Sequence, residues 1–393
     1  MQLRTQERHS ITAMPPLATP YEPQEAHFPS PYPSTPPTTP PQDSKTAPPP
    51  ASNKLGRIAF IGTGGTMGSW SGDEFDLEDY NANEHWVDGS RVVRETGVDR
   101  LYDVRAVPWA PPLDSTALSP GHWHDLASLC VKLARDRAAP DGIVIGHGTA
   151  SLEETAWALS LVLPPTIPVV VTGSMRPLNG VSSDAAANLL AACHAAAYFA
   201  RNPSDNPGVV VVADHELHSP RTVTKTHTLA LGAFRSPSVG PFGRVDGGGR
   251  VRIHARPWRP VDAGLRFEPD LLLRLKRVDV VYSYIDADGA AVDAFVAAGA
   301  AGIVSAGFGP GLGSPAEIAA FEKAIGGDPD DPAVCVVQSS RLGDGRVVDS
   351  LKHRRIGIVA GADLNPQKAR ILLALCLTAG VGIESVRRAF DSL

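Results

Sequence analysis

At 393 residues the chain has room for two domains with real cores, and a content of 43% hydrophobic and 20% charged residues is ordinary for a soluble globular protein. A net charge of -6 supplies no basic patch and speaks against nucleic acid. The chain has no run of about 18 uninterrupted apolar residues, which speaks against a membrane span. No apolar h-region stands near the N-terminus, so no secretory signal is expected. Cys130, Cys193, Cys335 and Cys376 sit singly in apolar contexts without metal spacing, as expected of reduced core residues in a cytoplasmic protein.

Residues 1–54 hold 14 of the 36 prolines, mixed with Ser, Thr and Gln. Such a segment cannot bury enough apolar surface to offset its ordering entropy, so a disordered, PPII-rich tail is expected. It reads either as a docking tail or as a solvated extension, or as the product of a start codon placed too early, Met14 being another candidate start. From Arg57 the pattern alternates. Strands are expected at 57–61, 103–107, 142–145, 168–172 and 209–213, with helices at 120–135, 151–162 and 183–200. That alternation predicts an α/β domain over 55–255, a mixed and mostly parallel sheet with helices on both faces. Within it, residues 214–258 turn to short polar strands and a glycine run at 247–249, which reads as hairpins. A linker at 256–275 opens with Arg256-Pro257-Trp258-Arg259-Pro260. A second βα alternation follows, with segments at 278–284, 290–298, 301–305, 315–325, 333–337 and 355–359 and a closing helix at 366–377. It predicts a smaller α/β domain with a parallel sheet over 276–393.

Two segments carry the chemistry. Ile58-Ala59-Phe60-Ile61-Gly62-Thr63-Gly64-Gly65-Thr66 and Gly146-His147-Gly148-Thr149-Ala150-Ser151-Leu152-Glu153-Glu154-Thr155 each put glycines and a threonine at the carboxyl end of a buried strand. Ligands of open α/β sheets bind at that edge, and glycines let the backbone turn sharply and approach them. Two threonines at one crevice point to hydroxyl-based nucleophilic chemistry rather than a metal or phosphate site. The first loop lacks the third glycine of G-x-G-x-x-G and the G-K-[ST] ending of a phosphate loop, which argues against a nucleotide. His147 at a strand end reads as structural, and Glu153 and Glu154, opening a helix, read as complements to its dipole.

Thr63-Gly64-Gly65-Thr66 and His147-Gly148-Thr149-Ala150-Ser151-Leu152-Glu153-Glu154-Thr155 are followed in order by Thr172-Gly173-Ser174-Met175-Arg176-Pro177, Ser183-Asp184-Ala185-Ala186-Ala187-Asn188-Leu189 and Arg221-Thr222-Val223-Thr224-Lys225-Thr226. Val278-Asp279-Val280-Val281-Tyr282, Gly302-Ile303-Val304-Ser305-Ala306-Gly307 and Leu364-Asn365-Pro366-Gln367-Lys368-Ala369-Arg370 complete the series. In this order they resemble the asparaginase/glutaminase amidohydrolases, the two-domain type with a threonine nucleophile, from about Lys54 to Leu393. The resemblance implies hydrolysis of a small carboxamide through an acyl-enzyme on Thr66, with Tyr80 as a mobile lid residue. It implies Thr149 as the second catalytic threonine and Lys225 as the lysine bonded to it. Ser115 and Thr116 fall on the loop expected to contact a substrate carboxylate, and Gly65, Gly148 and Ala150 line the substrate side. It further implies no metal, no organic cofactor, and a homo-oligomer, dimer or tetramer, in which the second domain of one subunit closes its partner's site.

The chain departs from the family at Ala150, where members typically carry an aspartate that pairs with the lysine and holds the substrate's α-ammonium. Lys225 is therefore expected to have a lowered pKa, and an α-ammonium would lose a charge partner. Thr116 stands where a longer polar side chain often reaches the same ammonium. The rival reading is a non-catalytic ligand-binding or sensing protein that kept the fold.

Overall fold

The computed structural model describes residues 54–80, 85–165 and 168–393. The expected disordered tail therefore lies outside the described residues, Lys54 excepted. In chain order the first part holds β1 (Arg57–Gly62), α1 (Gly89–Thr96), β2 (Asp103–Val107), α2 (Pro120–Arg135), β3 (Gly142–Gly146), α3 (Leu152–Val162), β4 (Val169–Thr172), α4 (Ala185–Arg201) and β5 (Val209–Ala213). Then come the short strands β6 (Glu216–His218), β7 (Thr224–Lys225), β8 (Phe234–Arg235), β9 (Gly243–Val245) and β10 (Val251–Ile253). The second part holds β11 (Val278–Tyr282), α5 (Ala290–Ala297), β12 (Gly302–Gly307), α6 (Pro315–Ile325), β13 (Cys335–Ser340), α7 (Leu351–Arg355), β14 (Val359–Ala360), α8 (Pro366–Thr378) and α9 (Ile383–Asp391).

The larger sheet has eight strands in the order β10-β9-β6-β5-β4-β3-β1-β2. From β2 to β5 all pairings are parallel; β6, β9 and β10 add antiparallel strands at one edge. The central strands are apolar on both faces because both faces are covered. In β1, Ala59 and Ile61 join the core beneath α2 and α3, while Ile58 and Phe60 join the core beneath α1 and α4. The second sheet, β11-β12-β13-β14, is wholly parallel. Its helix α8 belongs to the same hydrophobic cluster as α2 and α3, so one core runs from the first sheet to the second. Trp157 on α3 marks the seam: its indole N–H donates to Lys368 O at 3.1 Å.

The glycine run at 247–249 forms the turn of the β9–β10 hairpin, where the Asp246 carboxylate accepts from the Gly248 and Arg250 amides. The expected linker is packed rather than free. It contains two 3-10 turns, Pro260–Ala263 and Pro269–Arg274, buries Leu265 and Leu272, and sets Trp258 5.8 Å from Trp157 between ring centroids. The segment 355–359 is not a continuous strand: α7 ends at Arg355, Gly357 takes a positive φ of 89°, and only Val359–Ala360 pairs with β13. The helix at 366–378 does not close the fold, since α9 follows it. Nor does the sequence reading contain α1, an eight-residue helix capped by Asp88.

Candidate active site

Three loops meet at the carboxyl ends of β1, β2 and β3. Gly65 N–H donates to Leu113 O at 3.0 Å, Leu113 N–H to Thr63 O at 2.9 Å, and Thr63 N–H to Gly146 O at 2.9 Å. Two glycines make this stacking possible. Gly65 has a φ of 65°, and a Cβ there would stand 2.2 Å from Gly148 Cα. A Cβ on Gly148 would stand 2.6 Å from Ser115 Oγ. Any side chain at either position would push the loops apart, so the two glycine segments read in the sequence are pressed against each other.

Thr66 begins a 3-10 turn, Thr66–Gly68, directly after this contact, and is buried. Its hydroxyl lies 2.8 Å from the Tyr80 phenol. Burial raises the Tyr80 pKa, the Thr66 hydrogen bond opposes the rise, and the carboxylates of Asp114, Asp184 and Asp76 add to it. Tyr80 is thus a neutral phenol at neutral pH, a partner that can donate or accept. Thr149 is buried on the third loop, and its Oγ1 accepts from Lys225 Nζ at 2.9 Å. Lys225 comes from β7, far along the chain. Its pKa is lowered by burial, with no carboxylate opposing the shift, in line with the expectation drawn from Ala150.

The remaining predicted positions divide. Ser115 is buried against Gly148, and its carbonyl accepts from Ser151 Oγ at 2.7 Å. Thr116 is exposed and turned back on its own loop, its hydroxyl donating to Asp114 Oδ1 at 2.7 Å. Ala150 is exposed beside Thr149. His147 is fully buried; its Nδ1 donates to Gly148 O at 2.8 Å, and burial pushes its pKa down to about 4. A neutral imidazole tied to a backbone carbonyl holds the loop rather than moving protons.

Glu153 stands in the first turn of α3, as its place in the sequence led one to expect, and has partners beyond the helix. The side chain is buried, and its carboxylate accepts from Thr224 Oγ1 at 3.1 Å, Asn365 Nδ2 at 2.9 Å and the Lys225 amide at 3.4 Å. Lys368, also buried, stands 3.5 Å from it. An acidic pair in a first helical turn gives no sign of this, because the partners come from β7 and α8. The motif around Asn365 and Lys368 was visible, but its task was not.

Comparison with known proteins agrees with this architecture. Residues 57–259 match the family model for the asparaginase N-terminal domain, and 277–390 match that for the glutaminase/asparaginase C-terminal domain. L-asparaginase 2 of Escherichia coli is 33% identical over 348 residues, 87% of this chain and 94% of the relative. The glutaminase-asparaginase of Pseudomonas aeruginosa is 31% identical, covering 86% of this chain and 90% of the relative. A crystal structure of a probable cytoplasmic L-asparaginase from Campylobacter jejuni superposes with a TM-score of 0.76 at 31% identity, covering 85% of this chain and 99% of the other. The chain belongs to the asparaginase family, amidohydrolases that cleave linear amide C–N bonds.

Proposed function

We propose that the protein hydrolyses a small linear carboxamide, asparagine or a close relative, through an ester on Thr66. The observation that carries this reading is the pairing of two buried threonines at neighbouring strand ends, Thr66 with Tyr80 and Thr149 with Lys225. A threonine hydroxyl is a weak nucleophile and needs a proton acceptor nearby. Burial makes Lys225 a better acceptor than an exposed lysine, and Thr149 links it to the crevice. Thr66 Oγ1 bonds to the amide carbon, the C–N bond breaks, and the nitrogen leaves as ammonia with the hydroxyl's proton. Water then adds to the ester, the C–O bond to Thr66 breaks, and the hydroxyl regains a proton. The Gly65 amide is spent on Leu113 O, so the oxyanion falls to other amides. Those of Thr66 and Thr149 donate to no carbonyl among the described residues, and each such donor is typically worth about 3–4 kcal/mol.

The family matches at 57–259 and 277–390 support a catalytic domain over 55–255, a connecting segment over 256–275 and a second domain over 276–393. No described helix is long and apolar enough to cross a membrane. The name of the Campylobacter structure supports a cytoplasmic protein, and family membership supports a homo-oligomer. The test is ammonia release on a panel of amides with wild type and Thr66→Val. Losing a covalent nucleophile should lower turnover by about three orders of magnitude or more in a folded protein. Rapid quench and mass spectrometry should find the acyl group on the peptide carrying Thr66. Near-native activity of Thr66→Val would sink the reading.

A further inference from the structure

We propose that Glu153 is a positioning residue for Lys225: clamped by the buried Lys368, its carboxylate fixes the short β7 backbone from which the lysine reaches Thr149. The proposal rests on the reading of Lys225 and Thr149 as a working pair. β7 is two residues long and, among the described residues, pairs only with β8. A ribbon so short does not hold itself in place. Besides the Thr222 and Val223 amides on Ser219 O and the Thr226 amide on Ala233 O, its backbone is held by a buried ion pair. Lys368 Nζ donates to Arg221 O at 3.2 Å and to Val223 O. Glu153 Oε1 accepts from Thr224 Oγ1 at 3.1 Å and from the Lys225 amide at 3.4 Å. Nearly every residue from 221 to 225 thus ends on one of the two charges.

Glu153 also lies four residues beyond Thr149, in the first turn of α3. The same side chain therefore references both members of the pair to one rigid helix. A lysine is long and flexible, and loss of its root would loosen the 2.9 Å contact at its tip. A misplacement of about 1 Å in a catalytic array can lower rate a hundredfold. The charge of Glu153 is answered by Lys368, and the Lys225 shift arises from burial alone. The effect on Lys225 is accordingly geometric, and a neutral acceptor at position 153 can supply it.

The test measures kcat and KM on asparagine, or on succinamate if that is turned over faster, across the neutral and alkaline range, with melting temperatures. Glu153→Ala should lower kcat about tenfold or more with KM within about threefold. Glu153→Gln keeps an oxygen facing the Lys225 amide and should recover most of that kcat with an unshifted pH profile. Both should melt lower, since Lys368 loses its partner. A bare structural role would instead make kcat follow the melting temperature in both. Glu153→Leu/Lys368→Met removes both charges at similar volume, and should keep the fold while losing kcat as Glu153→Ala does.

Independently of turnover, the Lys225 Cε resonance in [ε-13C]lysine protein, assigned through Lys225→Arg, should move toward that of a solvent lysine in Glu153→Ala. Unchanged kcat in the alanine and double variants, no rescue by glutamine, or an unmoved resonance would overturn the proposal. Full activity of Lys225→Met would instead overturn the reading of the lysine itself, and the proposal with it.

Discussion

Ala150 leaves a methyl group beside Thr149, at a site whose only described cation is a half-buried lysine unopposed by a carboxylate. Asp114, the acid on the neighbouring loop, is already engaged by the Thr116 amide at 2.8 Å and its hydroxyl at 2.7 Å. A substrate α-ammonium would therefore find no carboxylate at position 150, whereas a substrate lacking one would lose nothing. Ala150→Asp is expected to raise kcat/KM for asparagine by about tenfold or more, and to leave succinamate, which has no α-ammonium, behind. The pair of substrates compared on both proteins measures this. If wild type already favours asparagine and the substitution adds nothing, another acid holds the ammonium. Asp114, through its second carboxylate oxygen, or a neighbouring subunit's residue would then be the place to look.

The elements that the sequence displays well are those whose identity is decided locally. α6 is one: Ser314 accepts from the Glu317 amide at 3.0 Å, Glu317 accepts from the Ser314 amide at 2.8 Å, and Pro315 opens the helix. The predicted span, 315–325, is the observed one. Ser314→Ala is expected to cost about 1 kcal/mol, read as a lower denaturant midpoint with an unchanged slope. The buried strands were equally legible, because a run such as Val209-Val210-Val211-Val212 has no other stable use in a soluble protein. Short elements were not. β14 shares only Val359 with the expected segment 355–359 because Gly357 breaks the run, and α1 and α9 are short helices among charged residues. The site shows the same split. Thr66, Thr149 and Lys225 lie in sequence-visible motifs, and the fold sets Thr66 2.8 Å from Tyr80 and Thr149 2.9 Å from Lys225. The task of Glu153 depends on residues brought in from β7 and α8, a tertiary fact with no local signature.

Across the whole molecule, two buried histidines link stability to acid. His147 and His218 are both fully buried, and burial pushes each pKa down to about 4 from an ordinary 6.5. Arg235, Lys368 and Arg244 lower His218 further. Its Nε2 is 3.4 Å from Glu216 but without hydrogen-bond geometry, so the neutral ring forms no ion pair there. Between about pH 6.5 and 4 the unfolded chain binds more protons at these sites than the folded one. Stability should therefore be independent of them above 6.5 and fall as pH drops through that window, by up to about 1.4 kcal/mol per pH unit for each histidine. Urea unfolding of wild type and His147→Asn over this range checks it: the variant's acid slope should be shallower by up to one histidine's share. The core shared by α3 and α8 has a different bearing, on ancestry and recombination. The two halves look like separable cassettes, each with its own main sheet, yet they are not freely exchangeable parts. A hybrid that takes its second half from a relative would have to import Asn365 and Lys368, or substitutes that suit Glu153 equally well, before its first half could work.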